Sequence, residues 1–589
     1  MGFHTLNIGA SGLLSNQTAL NTVGHNVANA ATPGYTRQRA LTEARDPSLK
    51  SFGAVGSGVG IRTIRRIADE FLERQVREAN SLHSYYDAQI QTYESIEALF
   101  NELSENDIST ELDKFWNALS DVNNHVEDVS TRRAMVNQAE VLANAFQAMD
   151  SKLYDMRVRL NNNVVRLVDD INSLLAEIAQ LNHDIVRTEQ AGSGPVVAND
   201  TRDQRTERLK ELAGYLDITV VEEPNGAAVV SLKGRLLVFE DQYFELTTER
   251  QSSDDALVDV AVFERDLDEV EAGRGLLGAY QNLRDEVILS YKQDMDRLAG
   301  QLLWEFNRIH TQGQGLQGYT RATSANAVTN PTAALDEIGY DFDPLSETYT
   351  IQNGNFEIHV RNEVTGEVTP INIEIDLDDT GEADTILYDD TAPPPTQNNA
   401  LVNKIQNALE ERFENVFNVT VDTSNRVTIE SQSENYTFGF GRDTSGVLAA
   451  LGFNNLFNGY DAGSIGVEGA IVDGPQLVAG SRTFEPGDNA NAVALLQLRQ
   501  APVYENRTAT VDDFYQGIVG RLGIEFSQKE SLLETQTDIL KRAENQREDL
   551  SGVNLDEELT RMIQFQRSFQ SAARFISTAD ILYETLIGM

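Results

Sequence analysis

At 589 residues the chain is too long for a single hydrophobic core, so about three or four domains are expected. Its 47 basic and 92 acidic side chains leave a formal charge of −45, which repels phosphate backbones and anionic lipid and argues against nucleic-acid or membrane partners. Cysteine is absent, which removes disulfides, Cys-zinc sites and thiol chemistry together, and no apolar run approaches the roughly 18–20 residues of a membrane span.

From Met1 to Thr36 there is no Asp, Glu, Lys or Arg, so the basic n-region of a secretory signal peptide is missing. Leu6, Gly9, Leu13, Asn16, Leu20, Val23, Val27 and Ala30 recur at 3-4 spacing and predict one helical stripe meant for burial by neighbours. Ser11, Ser15, Thr18 and Thr22 form the opposite, small polar face. So weakly amphipathic a helix is expected to be poorly ordered alone and to order on assembly. Pro33-Gly34, within Asn29-Ala-Ala-Thr-Pro-Gly-Tyr35, ends it in a turn, and Gly53 to Gly60 reads as a loop.

From about Ala68 the pattern is helical. Phe71, Ile90, Ile96, Leu99 and Leu103 mark one long helix, and Leu112, Phe115, Trp116 and Leu119 a shorter one. The clearest series runs from Leu142 to Ile185 at 3-4 spacing, with a 4-4 stutter at Met156–Leu160–Val164. Such a helix spans roughly 65 Å. A small β insert follows, with strands at Ile218–Val221, Ala228–Leu232 and Leu236–Phe239 and turns at Pro224-Asn225-Gly226 and Lys233-Gly234. Helix returns between Leu283 and Ile309. Residues 312–487 then change to alternating strands with one helix near Asn399 to Glu414. Helix resumes to the end in two pieces broken at Ser551-Gly552, the second marked by Leu559, Met562, Phe569, Ala573, Ile576 and Tyr583.

No chemistry-bearing pattern survives its context. Gly313-Gln-Gly315-Leu-Gln-Gly318 matches a dinucleotide fingerprint, but helix precedes it and loop follows, so the glycines read better as a domain hinge. The acidic run from Asp376 to Asp384 resembles a calcium loop, yet position 12 is Leu387 rather than Glu, and a solvated acidic hairpin is the default. The seven histidines have no metal-ligand spacing, and Gly56-Ser57-Gly58 lacks the strand-turn-helix of a nucleophile elbow. No catalytic, cofactor or metal residue is assigned.

The two ends carry more specific motifs. Leu13-Leu-Ser-Asn-Gln-Thr-Ala-Leu20 with Asn26-Val-Ala-Asn29-Ala-Ala-Thr32-Pro33-Gly34-Tyr35, and Ser551-Gly-Val-Asn-Leu-Asp-Glu-Glu-Leu-Thr560 with Ile563-Gln-Phe-Gln-Arg-Ser-Phe569 and Ala579-Asp580, resemble the signatures of bacterial flagellar rod, hook and hook-associated axial proteins. Asp443-Thr-Ser-Gly-Val-Leu-Ala-Ala-Leu-Gly452 and Pro486-Gly-Asp-Asn489 are similar to interior features of the same family, so the resemblance covers nearly the whole chain and is weakest over 313–440. Within the family, rod proteins are too short and the hook protein lacks the helical segment at 68–190. Flagellin and the second junction protein lack the Thr-Pro-Gly-Tyr turn.

The resemblance implies a non-enzymatic structural component of the flagellum, forming the ring that joins hook to filament. The alternatives are another axial protein such as a hook protein, or an axial scaffold bearing a catalytic or adhesive insert. It implies export through the flagellar type III apparatus to an extracellular place in the flagellum, without a cleaved signal peptide. The implied partners are the hook protein, the second junction protein, further copies of the chain in the ring, and an export chaperone at the C-terminal helix. Its assembly residues would be Leu13, Leu20, Asn26, Val27, Asn29, Thr32, Pro33, Gly34 and Tyr35 at the N-terminus, and Leu559, Met562, Phe565, Phe569, Ile576 and Tyr583 at the C-terminus. The expected fold is multidomain α+β: a long helical coiled-coil or bundle core formed by both chain ends, with inserted mostly-β domains. Residues 1–66 with 549–589 would form a terminal helical domain lining the inner tube. Residues 67–312 with 488–548 would form a long-helix domain carrying a β insert at about 215–265, and 313–487 an outer domain.

Overall fold

The computed structural model describes residues 2–51, 53–102, 107–191, 196–250, 257–262, 272–340, 351–377, 383–387 and 400–588. The chain begins with helix α1 (Gly2–Ala28) and an antiparallel ribbon of β1 (Gln38–Ala44) and β4 (Val59–Arg66), whose connection carries a short hairpin of β2 (Ser48–Lys50) and β3 (Gly53–Val55). Gly53 to Gly60, expected as loop, therefore contains strand. Glycines at 53, 56, 58 and 60 carry no side chains to alternate, so the period-2 signal is lost there.

Four helices follow: α2 (Glu70–Glu102), α3 (Ile108–Asn124), α4 (Val129–Ala191) and α5 (Asn199–Tyr215). Asp107 starts α3 by accepting the Thr110 amide at 2.5 Å. Along α4 the expected 3-4 series is buried from Leu142 to Ile185, with Leu181 alone half-exposed. A meander of β5 (Ile218–Glu222), β6 (Ala228–Leu232), β7 (Arg235–Phe239) and β8 (Gln242–Tyr243) comes next, then a hairpin of β9 (Leu246–Arg250) and β10 (Val258–Val262). Asn225-Gly226 and Lys233-Gly234 hold the tight turns with all four residues at positive φ.

Helix α6 (Gly275–Asn282), a π-helical turn (Leu283–Val287) and α7 (Ile288–His310) lead to β11 (Arg321–Thr323), β12 (Gly354–Asn362), β13 (Val368–Ile375), α8 (Leu401–Glu410), β14 (Phe417–Val421), β15 (Val427–Ser431), β16 (Tyr436–Asp443) and α9 (Val447–Leu451). The pair β17 (Phe457–Asn458) and β18 (Gly466–Val467), then α10 (Gly469–Asp473), α11 (Ala490–Leu498), α12 (Val511–Ser551) and α13 (Leu555–Ile587) complete the chain.

The chain divides into two compact units. The first comprises Met1–Tyr93, Arg157–Glu286 and Phe526–Met589. A core lies between α4, through Val164, Ile171 and Ile178, and the apolar sides of α5 and the meander, through Leu212, Val230 and Leu237. The second comprises Glu94–Met156 and Val287–Glu525. Here two three-stranded antiparallel sheets, β13-β12-β16 and β11-β15-β14, close a core around Phe356, Ile358, Phe438 and Phe440.

Within that second unit, the composition changes at 312/313 and 487/488 are not edges of packing. Phe457 meets Phe115 at 5.6 Å and Phe306 at 5.4 Å, between ring centroids. Fully buried His310 pairs through Nδ1 with the Asn454 carbonyl at 2.8 Å and accepts the Ala479 amide on Nε2 at 2.9 Å. Burial is what lowers its pKa to about 4. Nor do the fingerprint glycines form a hinge. A Cβ on Gly313 would lie 2.2 Å from Asn491 Nδ2, one on Gly315 2.3 Å from the Gln476 carbonyl oxygen, and one on Gly318 2.4 Å from Thr437 Oγ1. These glycines are close-packing positions, as a polar segment threaded between other backbones requires. Residues 378–382 of the suggested calcium loop lie outside the described residues.

Candidate assembly site at the paired chain ends

Both termini belong to the first unit, where α1 and α13 form an antiparallel pair within the single chain. The fit is set by glycine: a Cβ on Gly9 would stand 2.6 Å from Ile576 Cγ1, and one on Gly12 would meet Ala572 Cβ at 3.8 Å. The face of α1 that the sequence assigns to the open side is in fact covered. Ser11, Ser15 and Thr22 are buried, whereas Leu6, Leu13, Leu20 and Val27 are only half-buried. The cause is the ribbon, whose backbone needs polar partners. Ser11 Oγ donates to the Ile8 carbonyl at 2.7 Å and accepts the Val59 amide at 3.2 Å. Gly58, at φ +103°, leaves room for that hydroxyl, and a side chain there would strike it.

Asn26 is fully buried and joins three elements. Its Oδ1 accepts the Gln38 amide at 2.9 Å and the Tyr35 hydroxyl at 2.8 Å; its Nδ2 donates to the Gln38 carbonyl and to Glu558 Oε2, both at 2.9 Å. The carboxamide thus pairs with Gln38 as another strand would, while it satisfies a carboxylate on α13 that is itself fully buried. Burial, then Asp200, Asp203 and Glu558, push the Tyr35 phenol well above its ordinary pKa, so it stays a donor.

The turn is fixed from several sides. Gly34 sits at φ +75°, and a Cβ there would fall 2.2 Å from Glu207 Cγ. The Thr36 amide donates to Asp203 at 3.0 Å, and Arg66 pairs with the same carboxylate at 3.0 Å. Burial still raises the Asp203 carboxyl above its usual value, against the pull of that amide and guanidinium. Arg37 donates its amide to the Ser551 carbonyl at 2.8 Å and its guanidinium to Glu557 at 2.8 Å, which ties the ribbon to the break between α12 and α13. Asn554 caps α13 by accepting the Asp556 and Glu557 amides. A recess of about 350 Å³ beside the turn is lined by His25, Tyr35, Asp200, Asp203 and Glu207, but each of the three carboxylates already has a donor or cation: Gln38, Arg66 and Arg547. Among the described residues no cluster of three or more His, Asp or Glu could hold a metal, and no helix is long and apolar enough to cross a membrane.

Of the residues singled out from sequence, Asn26 and Tyr35 meet in this hub with Gly34 beside them; Asn29 is half-buried, and Thr32 and Pro33 are exposed. Met562, Phe565, Phe569, Ile576 and Tyr583 are half-buried on α13, and Leu559 is 48% exposed. Sequence reading missed Glu558, Gln38, Arg37 and Asp203. One signal existed for Glu558: it stands four residues before Met562, a charge on the apolar stripe. Leu555, Leu559, Ile563, Ile581 and Leu582 on α13, with Leu14 on α1, remain largely exposed. The pairing of the ends leaves apolar surface uncovered.

The comparisons with known proteins agree along the whole chain. The model for the flagellar hook-associated protein FlgK helical domain matches residues 93–323, that for the flagellar basal body rod FlgEFG protein C-terminal region matches 548–589, and that for the flagella basal body rod protein matches 6–36. Flagellar hook-associated protein 1 of Bacillus subtilis (strain 168) is 27% identical over 98% of this chain and 96% of its own. That of Escherichia coli (strain K12) is 24% identical over 99% of both. Along nearly its whole length the chain is similar to flagellar hook-associated protein 1. It is a structural, hook-associated component of the bacterial flagellum. The solved flagellar hook junction protein FlgK from Burkholderia pseudomallei is more distant, at 14% identity and a TM-score of 0.46 over 82% of this chain and 100% of its own.

Proposed function

We propose that copies of this chain form the ring that joins the flagellar hook to the filament, with the paired terminal helices lining its inside. One observation carries the reading: α1 and α13 are locked in register by Asn26 and Glu558 while apolar residues on both stay open to solvent. A monomer gains little from that arrangement, and a subunit flanked by like subunits buries what is open. In this reading one face of the ring meets the hook protein and the other the second junction protein. The chain reaches its extracellular place through the flagellum's own type III apparatus, and a chaperone holds α13 before export.

The test is electron microscopy of cells lacking the gene. Hooks should persist without filaments, with flagellin in the medium. Filaments attached at wild-type frequency would refute the junction role.

A further inference from the structure

We infer that the β1–β4 ribbon is a basic docking surface for the carboxylate-bearing surface of a second copy of this chain. The inference rests on the ring reading and adds to it the part of the subunit that makes a lateral contact. Residues 36–66 carry seven basic side chains against two acidic ones, in a chain whose total is −45. This +5 segment leaves −50 on the rest, so the surface another copy offers is on average strongly acidic. Copies of so acidic a chain repel one another, and a cationic ribbon is where that repulsion turns into attraction.

The ribbon does not use these charges internally. Arg37 and Arg66 are taken up by Glu557 and Asp203, but Arg39, Arg45, Lys50, Arg62 and Arg65 are exposed. Arg62 reaches Glu43 only at 3.8 Å, with both side chains more than half exposed, and the other four have no ion pair among the described residues. The ladder also sets Arg39 directly opposite Arg65. Like charges at facing positions weaken a two-stranded ribbon, so the pair costs the monomer stability and returns nothing within it. At the far end of the same segment Leu49 is 84% exposed between Arg45 and Lys50, an apolar tip flanked by cations.

The experiment uses the full chain in cells lacking their own copy. If the deletion strain keeps its filaments, the ring reading and this inference fall together. If it is bare and the wild-type chain restores filaments, the variants test the ribbon alone. R39T/R65T removes the facing charges and places a good strand former at both sites. We expect the purified variant to melt at or above the wild-type temperature and to be exported normally, yet to leave most cells without attached filaments and with flagellin in the medium. R39K/R65K, which keeps the charge, should restore attachment. Normal filaments with R39T/R65T would overturn the inference, as would a fall in its melting temperature, which would give the arginines an internal role. So would failure of R39K/R65K to rescue. Co-sedimentation of the wild-type chain with phosphatidylglycerol vesicles, lost in R39T/R65T while filaments stay normal, would assign the patch to lipid instead.

Discussion

Replacing Asn26 by Ala should loosen both chain ends at once. The substitution removes four hydrogen bonds of 2.8–2.9 Å. Three are to neutral groups, each worth about 1 kcal/mol, and the one to Glu558 is worth about 1.5–3 kcal/mol because its partner is a carboxylate. Water entering the vacated space recovers part of this, so the net loss should be about 3–4 kcal/mol. Arg561 stands 3.8 Å from that carboxylate, too far for a hydrogen bond. The loss belongs to the terminal helices, so native-state hydrogen exchange by mass spectrometry on peptides from 2–28 and 555–587 is the suitable assay. A double-mutant cycle with Glu558→Gln should show coupling of about 1–2 kcal/mol. The isosteric Asn26→Asp keeps the acceptor, loses the donor and sets a second carboxylate beside Glu558. It should be worse than Ala at neutral pH and improve on acidification. A loss under about 1 kcal/mol, or strict additivity in the cycle, would refute the hub.

Gly34→Ala should cost about 1–2 kcal/mol through its positive φ alone, and adding Glu207→Ala should relieve only the clash, as read by exchange in the same peptides. For His310 the folded pKa of about 4 lies below the ordinary 6.5, so the unfolded chain binds the extra proton and stability falls as pH drops through that window. The loss approaches about 3 kcal/mol near pH 4, and urea titrations at pH 4.5 and 7 should show a shallower dependence in His310→Gln than in the wild type. Phe569→Asp sets a charge on the half-buried face of α13 and should cost about 2 kcal/mol in the helix pair. The circular dichroism of the rest should hold while filament attachment is lost; normal swimming would contradict it.

The long-helix part of the fold is legible because it repeats one instruction. From Leu142 to Ile185 a large apolar side chain returns every three or four residues, and burial follows that order. Helix α1 obeys a different instruction. What packs against it is a ribbon backbone with amide and carbonyl groups to satisfy, so hydroxyls and a carboxamide occupy the buried side and leucines stand half open. A stripe count weighs side chains by hydrophobicity and cannot register a partner made of peptide groups. The same limit hides Glu558, whose burial depends on a residue 532 positions away in the chain. Composition likewise misplaces the edge at 487. Phe457 and Val478 lie among polar residues in sequence, yet one joins an aromatic cluster with Phe115 and Phe306 and the other offers its carbonyl to buried Arg132.

A helix pair so poor in buried leucine needs some other means of choosing its register. Gly9 faces Ile576 and Asn26 faces Glu558, matches seventeen residues apart on α1 and eighteen on α13. A slip of one turn would bring a side chain other than Ile576 over Gly9 and bury the Glu558 carboxylate against Val23 or Thr22, without the Asn26 amide. An unpaired buried carboxylate costs several kcal/mol, more than the half-buried leucines differ between registers. Polar matching therefore selects one alignment where apolar matching is nearly indifferent. That alignment fixes which residues of α13 face outward, among them Leu555, Leu559 and Ile563 in one row, each about half exposed. The internal hub thus determines the outer pattern a neighbouring subunit must recognise, and a change at Asn26 should disturb assembly without touching any residue on the assembling surface.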